Sequence, residues 1–229
     1  RQLLFTLPEY ELSVLILMNN HNLPFDYKNK AMKLKSEIFR INYDQQAPRT
    51  GNLIIAEPFL KEIWFQRGVI CLVEYNKSGA MGLVLNKPSE LYLNNLIEGL
   101  SDVEEIPVFY GGPLSNDRLF YMHTLGYLIP DSIEIKPGLY IGGDFEAITS
   151  YLKSGNKIRQ HIKFFLGYSG WSAGQLDEEI GSHIWAVSPC CDPSECLAGE
   201  GDIFWKESVK KMGNQYRTWL SCPKEPYYN

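Results

Sequence analysis

No stretch of this 229-residue sequence is apolar for long enough to cross a bilayer. The longest clean run near its start, Leu12 to Met18, falls far short of the roughly 20 residues a spanning helix needs. A Walker-type G-x-x-x-x-G-K-[ST] run is also missing, which removes the usual nucleotide-phosphate cradle. There is no excess of positive charge. The net charge is −5, with neither a basic stripe nor a helix-turn-helix pattern, so direct nucleic-acid binding is not expected. Histidine is scarce at four residues, and the five cysteines form no pair of C-x-x-C motifs, so no metal site and no cofactor is expected. Cys190, Cys191 and Cys196 in "CCDPSEC" read as exposed loop thiols, and Cys71 as an inert core residue. An odd cysteine count in a chain long enough to do without staples implies a reducing, cytoplasmic setting.

What is present suits a globular domain: 45% apolar and 21% charged residues are enough to bury a core without metals or disulfides. The first residues are less domain-like. "KNKAMKLKSE" places four lysines in ten residues without interleaved aromatics, the pattern of a solvated leader. Residues 1–36 are expected to form a leader or extension, and residues 37–229 the folded domain.

Short apolar runs bounded by turn residues then dominate. Leu53 to Ala56 reads as a buried strand, and Val69 to Tyr75 with Met81 to Leu85 as a hairpin turning through Asn76 and Gly79. Ser89 is a candidate cap for a helix through Leu100, whose Leu93, Leu96, Ile97 and Leu100 share one face. Strands are expected in "IPVFYGGP", "RLFYMHTL", on both sides of the Pro137–Gly138 turn, in "HIKFFLGY" and in "HIWAVSP". Asp144 should cap a helix through Lys153, and Asp202 a helix closed by Gly213. His123 and His161 read as structural or exposed. The result is a single α/β domain, an α+β-like sandwich with a mixed β-sheet and helices packed on its faces.

The most unusual stretch is "GYSGWSAGQL", Gly167 to Leu176. It reads as a strand running into a tight turn, with a helix leaving from Ser172 through a capping box to Gln175. Gly167 and Gly170 would permit close backbone approach, and Trp171 would press into the sheet. Ser169 sits where a nucleophile elbow would place it, but the fifth position of the motif is Trp171, and His183 follows too soon for an intervening acid. No Lys or Arg lies between Phe165 and Trp185, which argues against a phosphate cradle. A shallow apolar notch, or simply a packed corner, fits better. Of Glu178 and Glu179, one should face the corner and the other solvent. "YGGPL" and "LNKP" offer similar crowded strand ends.

Together "GNLIIAEPFL", "GAMGLVLNKP", "VFYGGPL", "GLYIGGD" and "FFLGYSGWSAGQLDEEI", in this order, resemble the AlgH (YqgE-like) family from about Ile38 onward. The resemblance implies an α/β sandwich and a bacterial cytoplasmic protein without an established enzymatic activity. One branch of the family is linked to gene expression, hence the label of transcriptional regulator. By motif, the resemblance points to Asn86, Pro88, Gly111, Gly112, Pro113, Gly167, Tyr168, Gly170, Trp171, Gln175 and Leu176 as the wall of a shallow cleft. Leu60 to Phe65 departs from the family pattern, with Glu62-Ile63 where relatives often carry Asp-Pro. The functional expectation is a protein-interaction module binding a protein partner at this cleft. The alternative is a small-molecule binder or enzyme using the same cleft.

Overall fold

The computed structural model describes residues 47–189, 192–222 and 224. The expected boundary near residue 36, and the loop thiols Cys190 and Cys191, lie outside the described residues. The described residues from 47 to 220 lie in one compact unit.

Ten strands and six helices are found among the described residues. In chain order they are β1 (Leu53–Ala56), β2 (Val69–Asn76), β3 (Gly79–Val84), β4 (Pro88–Tyr92), α1 (Leu93–Leu96), β5 (Pro107–Tyr110), β6 (Leu114–His123), β7 (Ile133–Lys136) and β8 (Leu139–Ile141). There follow α2 (Phe145–Lys153), β9 (Ile162–Ser172), α3 (Gln175–Gly181), β10 (Trp185–Ser188), α4 (Pro193–Ala198), α5 (Gly201–Lys211), a 3-10 turn (Asn214–Tyr216) and α6 (Arg217–Ser221).

The strands run in the order β10-β1-β2-β3-β9-β6-β8-β7, with β5 beside β9 and β4 beside β5. Every pairing is antiparallel except β5 with β9, where Val108, Phe109 and Tyr110 align parallel to Phe164, Phe165 and Leu166. β9 is shared by both halves of the sandwich. Its first half pairs with β5 and β6, and its second half, Ser169 to Ser172, pairs with β3.

Each half has its own core. One gathers Leu93, Val108, Tyr121, Ile148, Leu152 and Phe164 beneath α2. The other gathers Ile54, Ile70, Val84, Trp171, Leu176 and Trp185 beneath α3. β1 is buried along its whole length, so it reads as a continuous apolar run rather than an alternating one. α5 adds a further anchor: the Trp205 indole donates to the Ala56 carbonyl at 2.9 Å.

The β1 strand, the β2–β3 hairpin, the β7–β8 pair and α2 follow the sequence pattern. Asp144 caps α2 by accepting from the Glu146 and Ala147 amides, an arrangement worth about 1 kcal/mol. Three expectations are corrected. Pro88–Tyr92 is a strand, and the helix after it is confined to Leu93–Leu96. Ser89 caps nothing there; its hydroxyl donates to the Val108 carbonyl at 2.6 Å, across the β4–β5 pair. α5 starts at Gly201 without a side-chain cap, and Asp202 bonds the Arg67 guanidinium at 3.4 Å instead. The segment around Cys196 is helical rather than a loop. Asp192 caps α4, Pro193 occupies its first turn, and the Cys196 thiol is buried, not exposed.

His123 is fully buried, stacked between Tyr121 and Tyr140. Its Nδ1 accepts from the Leu125 amide at 3.1 Å, which leaves Nε2 to donate to the Gly142 carbonyl at 2.9 Å. Burial holds this imidazole below its ordinary pKa.

Candidate functional site

Gly167 to Trp171 is not a turn between strand and helix. β9 continues through Ser172, and its bend is made by Gly167 at φ +68°. Here β9 passes from one half of the sandwich to the other, and two further segments crowd in. A Cβ on Gly167 would lie 2.6 Å from the Leu114 carbonyl oxygen and 2.8 Å from that of Gly112. A Cβ on Gly111 would overlap the Gly167 carbonyl and meet Leu83 Cδ2 at 2.9 Å. One on Gly112 would overlap the Tyr168 backbone. These glycines remove side chains so that three strand ends can meet at backbone distance.

Beyond the bend, Trp171 is packed into the core with 7% of its surface exposed. The Trp185 indole meets it edge-on at 6.1 Å between ring centroids, and Phe65 stands edge-on to Trp185 at 5.5 Å. Glu179 joins the set. One of its carboxylate oxygens accepts from Trp171 Nε1 at 2.9 Å and from Trp185 Nε1 at 2.7 Å. The other accepts from Gln175 Nε2 at 2.9 Å. Glu179 is thus the residue that faces the corner, while Glu178 is exposed. The expected capping box is half formed. Gln175 Oε1 accepts from the Ser172 amide, but the Ser172 hydroxyl donates to that same oxygen, and α3 begins at Gln175 behind Gly174 at φ +76°.

Against this wall lies a groove of about 230 Å³. Trp171, Trp185, Gly170 and Gln175 form one side, Pro113 and Leu114 the second, and Leu60, Glu62 and Phe65 the third. The Leu60–Phe65 segment is therefore a groove wall. Leu114 is 43% exposed at its edge, and Ile63, within that third segment, is 80% exposed.

Of the residues expected to form the cleft, Pro113, Gly170, Trp171 and Gln175 line this groove. Leu176 packs behind it in the core. Gly111, Gly112 and Gly167 form the crossing that supports it. Tyr168 turns to Phe120, edge-on at 5.7 Å. Asn86 and Pro88 lie elsewhere. Asn86 is buried, accepting from the Val69 amide and donating to the Arg67 and Gly201 carbonyls, each at 2.9 Å. Pro88 is exposed on β4 opposite Phe109. Ser169 is fully buried with its hydroxyl on the Gly111 carbonyl, which is no place for a nucleophile.

One residue escaped the sequence reading. Lys163 is a lone charge in an apolar strand, and only 3% of its surface is exposed. It lines a second cavity of about 570 Å³ together with Phe109, Ile162 and Glu200. Among the described residues no cluster of three or more metal-ligating side chains occurs, and no helix is long and apolar enough to cross a membrane.

The family model described as AlgH-like (DUF179) matches residues 53–217. A UPF0301 protein of Parabacteroides distasonis is 45% identical over 193 residues, 84% of this chain and 97% of its own length. One from Bacteroides fragilis is 42% identical over 200 residues, 86% of this chain and the whole of its own. Among solved structures, the AlgH protein from Pseudomonas aeruginosa superposes with a TM-score of 0.60 at 26% identity, over 79% of this chain and 98% of its own. Protein DIP2367 from Corynebacterium diphtheriae, at 20% identity, shares the fold with a TM-score of 0.66, over 78% of this chain and 94% of its own.

Proposed function

The chain belongs to the AlgH-like family, and from that premise we propose that it is a regulatory interaction module whose groove beside Trp171 receives one apolar side chain of a partner protein. The observation that carries this reading is the Glu179 carboxylate, which fixes Trp171 and Trp185 before any partner arrives. A groove wall already locked in place loses little conformational freedom on binding, and Leu114, 43% exposed, gives it an apolar edge.

Size favours a side chain over a free ligand. The groove, at about 230 Å³, falls below the roughly 300–1,000 Å³ of small-molecule sites. Charge narrows the partner further. Glu62 and Glu179 are its acidic lining, so an apolar residue flanked by a lysine, an arginine or an amide is the complementary sequence. The regulation would run through protein contact in the cytoplasm rather than through DNA, in keeping with the net charge of −5.

Photocrosslinking in cells tests the reading. A photoreactive amino acid at Leu114, on the groove edge, should give one discrete adduct with a second protein. The same probe at Ile203, 70% exposed on α5 and outside the groove, should not give it. The adduct should disappear when Trp171→Ala is added to a still-folded chain. No adduct at Leu114, or the same adducts from both positions, would rule the reading out.

A further inference from the structure

The second cavity is unlike the groove, and it does not depend on the reading above. At about 570 Å³ it is large enough for a metabolite-sized molecule. On its wall sits the amine of Lys163, which donates to the Gly199 carbonyl and lies 3.8 Å from the centroid of the Phe109 ring. No carboxylate of the described residues forms an ion pair with it. An ammonium has three donors, and among the described residues one carbonyl and one aromatic face serve them.

Part of this arrangement is structural. Gly199 follows the last turn of α4, and Lys163 caps that end. Capping does not call for a cavity beside a buried amine, however, since an exposed lysine could reach a helix end without losing its hydration. We propose that this cavity binds a small polar aldehyde or ketone and holds it as a reversible imine on Lys163 Nζ. The nitrogen lone pair attacks the carbonyl carbon, and a proton moves to the oxygen to give a carbinolamine. Loss of the hydroxyl as water then leaves the C=N bond, with no oxidant or reductant needed.

The surroundings suit such a ligand. Glu104, Glu105, Lys157 and Arg159 stand exposed along the cavity and mix both signs, which favours neutral hydroxyl groups over a ligand of one strong charge. Phe109 and Ile162 supply an apolar floor. Desolvation lowers the amine to a pKa of about 7, with Glu200 and Cys196 pulling it partly back up. A large fraction is therefore the free base at neutral pH, the form that attacks a carbonyl.

Glycolaldehyde with cyanoborohydride, applied to the full folded chain and followed by peptide mapping, tests this. At pH 7 the peptide carrying Lys163 should be labelled at least about tenfold faster than a peptide carrying any exposed lysine. Its labelling rate should level off as glycolaldehyde is raised, because binding precedes the bond. Prior denaturation in urea should abolish the preference. A rate at Lys163 that is linear in glycolaldehyde, or labelling no faster than at the exposed lysines, would overturn the proposal and leave Lys163 as a helix cap only.

Discussion

The crossing beneath Trp171 can be tested with one methyl group. Gly111→Ala adds a Cβ that would overlap the Gly167 carbonyl and sit 2.9 Å from Leu83 Cδ2. The first neighbour is backbone and cannot swing aside. Gly111 is not among the positive-φ residues, so alanine suffers no torsional strain and the whole effect is crowding. Overpacking of this kind costs about 1–3 kcal/mol. Relief by displacement would strain three hydrogen bonds: Gly111 N–H to the Leu166 carbonyl, Val84 N–H to the Gly111 carbonyl, and the Ser169 hydroxyl to that same carbonyl. At about 1 kcal/mol each, the total loss comes to about 4–6 kcal/mol. Gly181→Ala is the control. It lies in α3 with nothing within 4 Å of its Cβ position, and it should gain about 0.5 kcal/mol from helix propensity. Urea unfolding followed by tryptophan fluorescence at 25 °C reads both. Opposite signs are expected for the same chemical change. A Gly111→Ala protein within about 0.5 kcal/mol of the parent would refute the claim that the strand ends meet at backbone distance.

Three further outcomes follow from the same geometry. Asn86→Ala strands one buried amide and two carbonyls, so thermal denaturation should show a loss of about 2–4 kcal/mol, with photocrosslinking from Leu114 unchanged once the protein is folded. Glu179→Ala frees both indole N–H groups; since Glu179 is only half-buried and water can replace part of it, about 2–3 kcal/mol should be lost, with a red-shifted tryptophan emission and a smaller loss in Glu179→Gln. Lys163 is held at about 7 in the folded protein against an ordinary 10.5, so between those values the unfolded chain binds more protons; its contribution favours folding as pH rises, by up to about 1.4 kcal/mol per pH unit, and Lys163→Met should remove that slope from stability measured by urea titration.

What the sequence revealed was local. Leu53–Ala56, the Asn76–Gly79 hairpin and the Asp144-capped helix each carry their signal within a few residues. Ser89 misled because its oxygen does accept locally, from the Leu91 amide, while its hydrogen goes to the Val108 carbonyl 19 residues away, a strand contact invisible in the local sequence. "GYSGW" misled for a related reason. Glycine-rich composition signals a turn, whereas here it lets one strand serve both halves of a sandwich, which only tertiary pairing can reveal. The α4 start is legible in Asp192-Pro193, a capping side chain followed by a first-turn proline. In the groove, Trp171, Gly170, Pro113 and Gln175 could be named from sequence because they share two short segments. The Leu60–Phe65 wall could not, since it reaches the groove by folding back from the end of β1. The burial of Lys163 was equally hidden, because it depends on Phe109 and Gly199 arriving from other elements.

The central claim is that a partner enters beside Trp171. The five tryptophans can be replaced by 5-fluorotryptophan, assigned by single substitution to phenylalanine, and followed by ¹⁹F NMR as the crosslinked partner is added. The Trp171 and Trp185 resonances should shift together while those of Trp205 on α5 and Trp219 on α6, stacked on each other, stay fixed. Movement of Trp205 or Trp219 with Trp171 and Trp185 unmoved would contradict it.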